Sequence, residues 1–230
     1  SVNKQGWFSW IYEQCGLEPG IKVLETGCGD GRLWVDNIKN VEKLKNIKIT
    51  VTDISEGMVN DARRNIGNGM FDYGVADCMN LPFDDNSFDC VIANHVIFYC
   101  EEPGKAFKEI KRVLKPGGKA VFSTYGSHHM QEIAQLVNQF DKRIVLSADV
   151  LYEKFGLDNG ERLLKKYFNK VDKRLYDDYL LVDVAEPIIE YILSCHGNQN
   201  HYLLDRYSDF KAFIMKKTYI CINILLHLHS

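Results

Sequence analysis

The stretch Val23-Leu24-Glu25-Thr26-Gly27-Cys28-Gly29-Asp30-Gly31-Arg32-Leu33-Trp34 decides the fold. An apolar run ends in glycines at every second position, and an apolar segment follows. A strand that passes through a tight turn into a helix reads this way. Such a turn aims backbone N–H groups and a positive helix end at the carboxyl edge of a sheet. Ligands of open α/β sheets bind at that edge. Gly27 and Gly29 are expected to let the backbone turn sharply and approach a flat or charged ligand.

Spacing narrows the ligand. A dinucleotide fingerprint, G-x-G-x-x-G, counted from Gly27 needs its third glycine where Arg32 stands. The glycine falls one position early, at Gly31, and Glu25 precedes the set. This favours a single nucleoside with a charged tail over a pyrophosphate. No G-K-[ST] follows, which excludes a P-loop.

Two later acids fall at strand ends. Asp53 closes Thr50-Val51-Thr52-Asp53, where it can accept hydrogen bonds from ribose hydroxyls or cap the next helix. Asp77, in Ala76-Asp77-Cys78-Met79, can take an adenine amine with Cys78 and Met79 packed on the ring. It can equally be a loop acid.

Strands and helices alternate on either side. Ile21–Glu25, Ile47–Val51, Tyr73–Ala76, Phe88–Ala93 and Ala120–Thr124 read as strands. Met58, Ala62 and Ile66 recur at helical spacing behind Ser55, a predicted N-cap. Phe107, Ile110 and Leu114 share a helix face that Pro116-Gly117-Gly118 should stop. Ile133, Leu136, Val137 and Phe140 predict another helix, as do Leu163, Leu164, Tyr167 and Phe168. Trp7, Phe8, Trp10 and Tyr12 predict a helix covering the cleft. Short strands alternating with helices imply parallel βαβ units in a doubly wound sheet. Tyr179–Val182 and Tyr219–Leu226 read as late strands around a helical, aromatic segment. One domain is expected over 1–230, with a cofactor-binding half over roughly 1–125 and substrate-side helical embellishments over roughly 126–217.

Composition bounds the partners. The chain has 230 residues and a net charge of -3, so no global basic field favours nucleic acid. Its seven cysteines form no C-x-x-C pair, and no metal-ligand set is expected. The odd count predicts reduced thiols and a cytoplasmic setting. No apolar run approaches the roughly 20 residues of a membrane span.

Taken together, these motifs resemble the class I S-adenosylmethionine-dependent methyltransferases, in the group with the ubiquinone and menaquinone methylases. Glu25 to Gly31 is similar to that family's first motif. Asp53-Ile54-Ser55 with Met58 is similar to its second, and Asp77-Cys78 to its third. Leu81-Pro82-Phe83-Asp84-Asp85-Asn86-Ser87-Phe88-Asp89-Cys90-Val91 and Leu114-Lys115-Pro116-Gly117-Gly118 also resemble family stretches. The resemblance covers roughly residues 5–125.

It implies an α/β, doubly wound, mostly parallel seven-stranded sheet of Rossmann-like type, with the last strand antiparallel beside the fifth. The sequence leaves that strand's register, within Thr218–Ser230, open. The resemblance also implies S-adenosylmethionine as cofactor and S-adenosylhomocysteine as product. Glu25 would belong to the cofactor site, Gly27, Cys28 and Gly29 would line the methionine part, and Asp53 would hold the ribose. Ile54 and Met58 would lie beside the adenine, whose edge Asp77 and Cys78 would read, with Met79 packed on the ring. Asn94 and His95 would face the sulfonium and the acceptor.

His95 is the candidate general base, or a histidine that packs over the cofactor. Tyr125, His128 and His129 follow the fifth strand as substrate-side candidates or solvated loop residues. After the fourth strand the chain reads Ala93-Asn94-His95-Val96, not [DN]-P-P-[YF], and no Pro-Cys nucleophile is present. Duplex DNA is therefore disfavoured as substrate. The leading expectation is methyl transfer to a small-molecule acceptor by a monomer or homodimer with no membrane partner. A tRNA-modifying enzyme and a non-catalytic regulatory subunit are the alternatives.

Overall fold

Strand and helix alternate as the periodicities predict. The computed structural model describes residues 1–147, 150–217 and 220–229, with 223–229 described by backbone alone. Thr218, Tyr219 and Ser230, part of the final segment read from the sequence, lie outside the described residues. The strands are β1 Lys22–Thr26, β2 Lys48–Asp53, β3 Phe71–Val75, β4 Phe88–Asn94, β5 Leu114–Tyr125, β6 Lys173–Val182 and β7 Ile220–His229. The helices are α1 Trp7–Cys15, α2 Arg32–Val41, α3 Glu56–Ile66, α4 Pro103–Val113 and α5 Gln131–Phe140. They continue with α6 Leu151–Lys154, α7 Gly160–Leu164, α8 Ala185–Ser194, α9 Gln199–Leu203 and α10 Tyr207–Met215.

The sheet order is β3-β2-β1-β4-β5-β7-β6. The first five strands pair in parallel, with Lys22 opposite Lys48, Val23 opposite Cys90, and Ile49 opposite Phe71. The last strand runs antiparallel beside the fifth, as expected. Its register, open in the sequence, sets Phe122 opposite His229 and Tyr125 opposite Leu226.

Two compact units are interleaved along the chain. The larger holds Gln5–Tyr125, Leu151–Tyr176 and the chain from Leu226 onward, and the smaller Ser1–Lys4, Gly126–Val150 and Asp177–Leu225. Alternate residues of a strand face opposite sides, and in the larger unit both sides are covered. Leu24, Val91, Ala93 and Phe122 pack against Phe107 and Ile110 of α4. Val23, Ile49, Cys90 and Ile92 pack with Ile11, Leu33, Trp34 and Ala62 of α1 to α3. Burial on both faces explains why β4 is an almost continuous apolar run. In the smaller unit, Val137, Ile189, Leu203 and Phe210 centre a separate core.

Ser55 caps α3 as read, its hydroxyl accepting from Met58 N. Two boundaries differ. Leu114 carries the helical period of α4 but begins β5, pairing with Phe88, so Pro116-Gly117-Gly118 lies inside the strand. Sheet pairing outcompetes the helix there. Likewise α7 stops at Leu164, and Tyr167 and Phe168 follow in a turn bonded to the Leu164 carbonyl.

The segment Leu81–Asp85 is held by one guanidinium. Arg112 donates to the carbonyls of Leu81 at 2.9 Å and Phe83 at 2.7 Å, and to Asp85 and Glu109. Glu109 in turn accepts from Leu81 N. Its family-like sequence therefore has a structural cause: a loop without ladder partners needs one fork of donors to satisfy it. Arg112→Ala should destabilise the chain by about 1–3 kcal/mol, read as a lowered urea midpoint, because carbonyls and a carboxylate lose their donors.

Candidate active site

The carboxyl ends of β1 to β4 enclose a cavity of about 460 Å³, built wholly from the larger unit. β1 and the loop after it supply Glu25 to Asp30. β2 supplies Asp53 and Ile54, β3 leads into Ala76 to Met79, and β4 into Asn94, His95 and Val96. Phe8 of α1 also lines it, which puts the N-terminal aromatic helix at the cavity as expected.

The glycines divide by role. Gly27, Gly29 and Gly31 have φ of 73°, 54° and 82°, in the left-handed region. A Cβ on Gly27 would overlap Val96, and one on Gly31 would come within 2.6 Å of Ile66 Cδ1. Those two absent side chains make room for the protein's own packing. Gly29 alone of the three faces open space. Gly27 and Gly29 both line the cavity, and only at Gly29 is the side-chain direction itself open.

Asp53 fixes this loop. Its Oδ2 accepts from Gly29 N at 3.0 Å and its Oδ1 from Ser55 N at 2.9 Å. Its turn role is thus visible, and each carboxylate oxygen keeps a further lone pair for a ligand. Asp77 Oδ1 accepts from Met79 N at 2.8 Å, bracing its own turn. Cys78 Sγ lies 3.2 Å from Cys100 Sγ. Met58, expected beside the adenine, is on α3, 42% exposed, and is not among the cavity's lining residues. Ile54 lines the cavity and is largely exposed.

At β4, Ser123 Oγ donates to Asn94 Oδ1 at 2.5 Å and accepts from His95 N at 2.9 Å. His95 has φ of 53°, a left-handed conformation that is uncommon for a non-glycine residue and costs strain. The Ser123 hydroxyl from the neighbouring strand holds it there. The ring packs 5.2 Å from Trp7, 5.9 Å from Phe98 and 6.5 Å from Tyr125, between ring centres. Tyr125 is thus near His95. His128 and His129 belong to the smaller unit. His128 is exposed beside Gln131, and burial pushes His129 down to about 4, which keeps it neutral at pH 7.

Thr26, Tyr99 and Cys100 also line the cavity and carried no sequence signal. Among the described residues, no group of three or more His, Cys, Asp or Glu could hold a metal ion. No described helix is long and apolar enough to cross a membrane.

Glu25 is 1% exposed, and its Oε2 accepts from Trp34 Nε1 at 2.5 Å. Burial pushes its carboxyl up to about 8, opposed by the Trp34 bond and reinforced by nearby Asp53. The folded chain therefore holds a proton that the unfolded chain, near 4.5, has released. The stability this proton brings is complete below the unfolded pKa and is lost as pH rises through about 8. Thermal melts should show stability falling over that window. Glu25→Gln keeps an acceptor for Trp34 and should flatten the fall; an unchanged pH slope would remove Glu25 as its source.

Residues 24–122 match the family described as Methyltransferase domain. Cycloartenol-C-24-methyltransferase 1 of Oryza sativa is 36% identical over 108 residues, covering 45% of this chain and 30% of that protein. The ubiquinone/menaquinone biosynthesis C-methyltransferase UbiE of Haemophilus ducreyi is 30% identical over 143 residues, covering 60% of this chain and 54% of that protein. The chain thus spans about half or less of the length of these curated relatives. A solved S-adenosylmethionine-dependent methyltransferase from Aquifex aeolicus shares the fold, with a TM-score of 0.53, 19% identity, and coverage of 78% of this chain and 84% of that one. Strand order, strand-end cavity and sequence thus agree on a methyltransferase domain at residues 24–122.

Proposed function

We propose that the chain binds S-adenosylmethionine and transfers its methyl group to a small-molecule acceptor. The observation that carries this reading is the convergence of Gly29, Asp53, Asp77 and His95, from four successive strand ends, on one cavity.

The residues fit the cofactor. The cavity volume lies within the roughly 300–1,000 Å³ of small-ligand sites. Glu25, Asp53 and Asp77 make a wall rich in carboxyl groups, which suits hydroxyls, an amine and a cationic tail better than phosphate. Gly29 leaves its side open, and Ile54, Met79 and Tyr99 offer apolar contact. Thr26 Oγ1 is a buried side-chain oxygen of this wall with no partner among the described residues.

In this reading Asp53 holds the ribose hydroxyls while it keeps the Gly29 N–H. Asp77, Cys78 and Met79 take the adenine, and Gly27, Cys28 and Gly29 the methionine part. When bound, S-adenosylmethionine supplies an electrophilic methyl on a positively charged sulfur. The chain's part is alignment, which can supply up to about 7–11 kcal/mol of a barrier. Asn94 and His95 stand at the acceptor side, and His95 takes the acceptor's proton where one must leave. Ser123 fixes the direction of that ring through the backbone. Trp7, Phe8 and Tyr125 give the acceptor side an aromatic character. One relative is named for cycloartenol C-24 and the other for ubiquinone and menaquinone biosynthesis, which supports a small organic acceptor.

Calorimetry with S-adenosylhomocysteine tests the binding. Asp53→Ala should weaken it by about 1.5–3 kcal/mol, the range for hydrogen bonds to a charged group. No heat of binding at millimolar ligand overturns the proposal. Labelled S-adenosylmethionine, incubated with metabolite extracts and with tRNA, then identifies the acceptor. Label in tRNA would favour the RNA-modifying alternative, and no label despite binding would favour a regulatory subunit. His95→Asn suits the left-handed backbone. On the acceptor found, it should lower turnover about 10²–10⁴-fold if His95 is the base. A turnover within a few-fold of the parent's would leave His95 a packing residue.

A further inference from the structure

Cys78 lies in the turn from Asp77 to Asn80 after β3, and Cys100 directly follows a short helical turn, Ile97–Tyr99, after β4. Both side chains line the candidate cavity, and their Sγ atoms are 3.2 Å apart. At that separation the thiols share a hydrogen bond. The bond from Cys78 holds the Cys100 thiol below its ordinary value, and the same bond raises Cys78. Cys100 is thus the more acidic sulfur of the pair, the thiolate being the reactive form, with a second thiol in contact. Cys15 and Cys90 are also hydrogen-bonded to each other, but they are buried in the core beside α1 and do not line the cavity.

We propose that Cys78 and Cys100 form a reversible disulfide in the cavity wall, made by a hydroperoxide and undone by a thiol reductant. The Cys100 thiolate attacks one peroxide oxygen, the O–O bond breaks, and the departing hydroxide takes a proton to become water. The sulfur of Cys78 then displaces hydroxide from the resulting sulfenic acid, and its own proton completes a second water. Two thiols and one hydrogen peroxide thus give one disulfide and two waters. A disulfide holds its sulfurs about 2.05 Å apart, so these must close by roughly 1 Å. Cys78 lies in a turn and Cys100 just past one, neither in a strand, which allows that movement. Closure draws the turn bearing Asp77 and Met79 toward Cys100 and reshapes the adenine end of the site. That consequence rests on the cofactor reading above; the disulfide does not.

The 230-residue chain is treated with hydrogen peroxide, its free thiols are alkylated, and it is digested for mass spectrometry. The expected result is a peptide pair joined through Cys78 and Cys100 and separated by dithiothreitol, with Cys15 and Cys90 recovered as alkylated thiols. Recovery of Cys78 and Cys100 as free thiols after oxidation overturns the proposal. In parallel, S-adenosylhomocysteine affinity should fall about tenfold or more on oxidation, a change of about 1.4 kcal/mol or more, and recover on reduction. The affinity of Cys100→Ser, whatever its value, should not respond to peroxide. An unchanged affinity with the disulfide mapped overturns the effect on the site. Failure of the reduced chain to bind overturns the cofactor reading instead, and the peptide map still decides the thiol pair.

Discussion

The carboxylate of Asp53 joins two loops. One oxygen accepts the Gly29 N–H after β1 and the other the Ser55 N–H that begins α3. The cavity depends on this bond, because the glycine loop, with its left-handed residues, has few other anchors. Cys28 N adds one, extending the ladder to the Thr52 carbonyl. The bond is possible only in the observed register, with Thr26 opposite Thr52. A slip of one residue would turn Asp53 to the other face of the sheet. Strand pairing, glycine conformation and carboxylate position therefore form a single constraint.

The next strand end is built by the same means. His95 adopts a conformation that few non-glycine residues take, and the hydroxyl of Ser123 on the neighbouring strand compensates by accepting its N–H. Below both loops, Glu25 lies buried against the Trp34 indole. Its protonation keeps a lone charge out of the core, where an ionised carboxylate would be costly. The site thus combines a neutral buried acid with the more exposed acids Asp53 and Asp77, and burial separates the two kinds.

Several features were legible because they are local. Ile49 and Val51 alternate with polar residues, and Ser55 precedes an apolar stripe, so β2 and α3 could be read directly. Leu114 misled because its helical spacing to Phe107 and Ile110 is real, while its pairing with Phe88 is visible only in three dimensions. The family-like stretch from Leu81 was recognisable without its reason, since Arg112 reaches it from another helix. The packing that leaves no room for a side chain at Gly27 and Gly31 comes from Val96 and Ile66, which are far away in sequence. The Cys78–Cys100 contact joins residues that no motif spacing connects.

By itself, the sequence determined that strands and helices alternate in a doubly wound sheet, and that acids follow the glycine turn at later strand ends. Those properties follow from periodicity and turn chemistry, which act over a few residues. Only the tertiary structure decided which glycine faces open space, which thiols touch, and that Glu25 is buried. The same holds for the interleaving of the two units and the register of the last strand. Each of these depends on atoms brought together by packing from distant parts of the chain, and no local pattern carries that information.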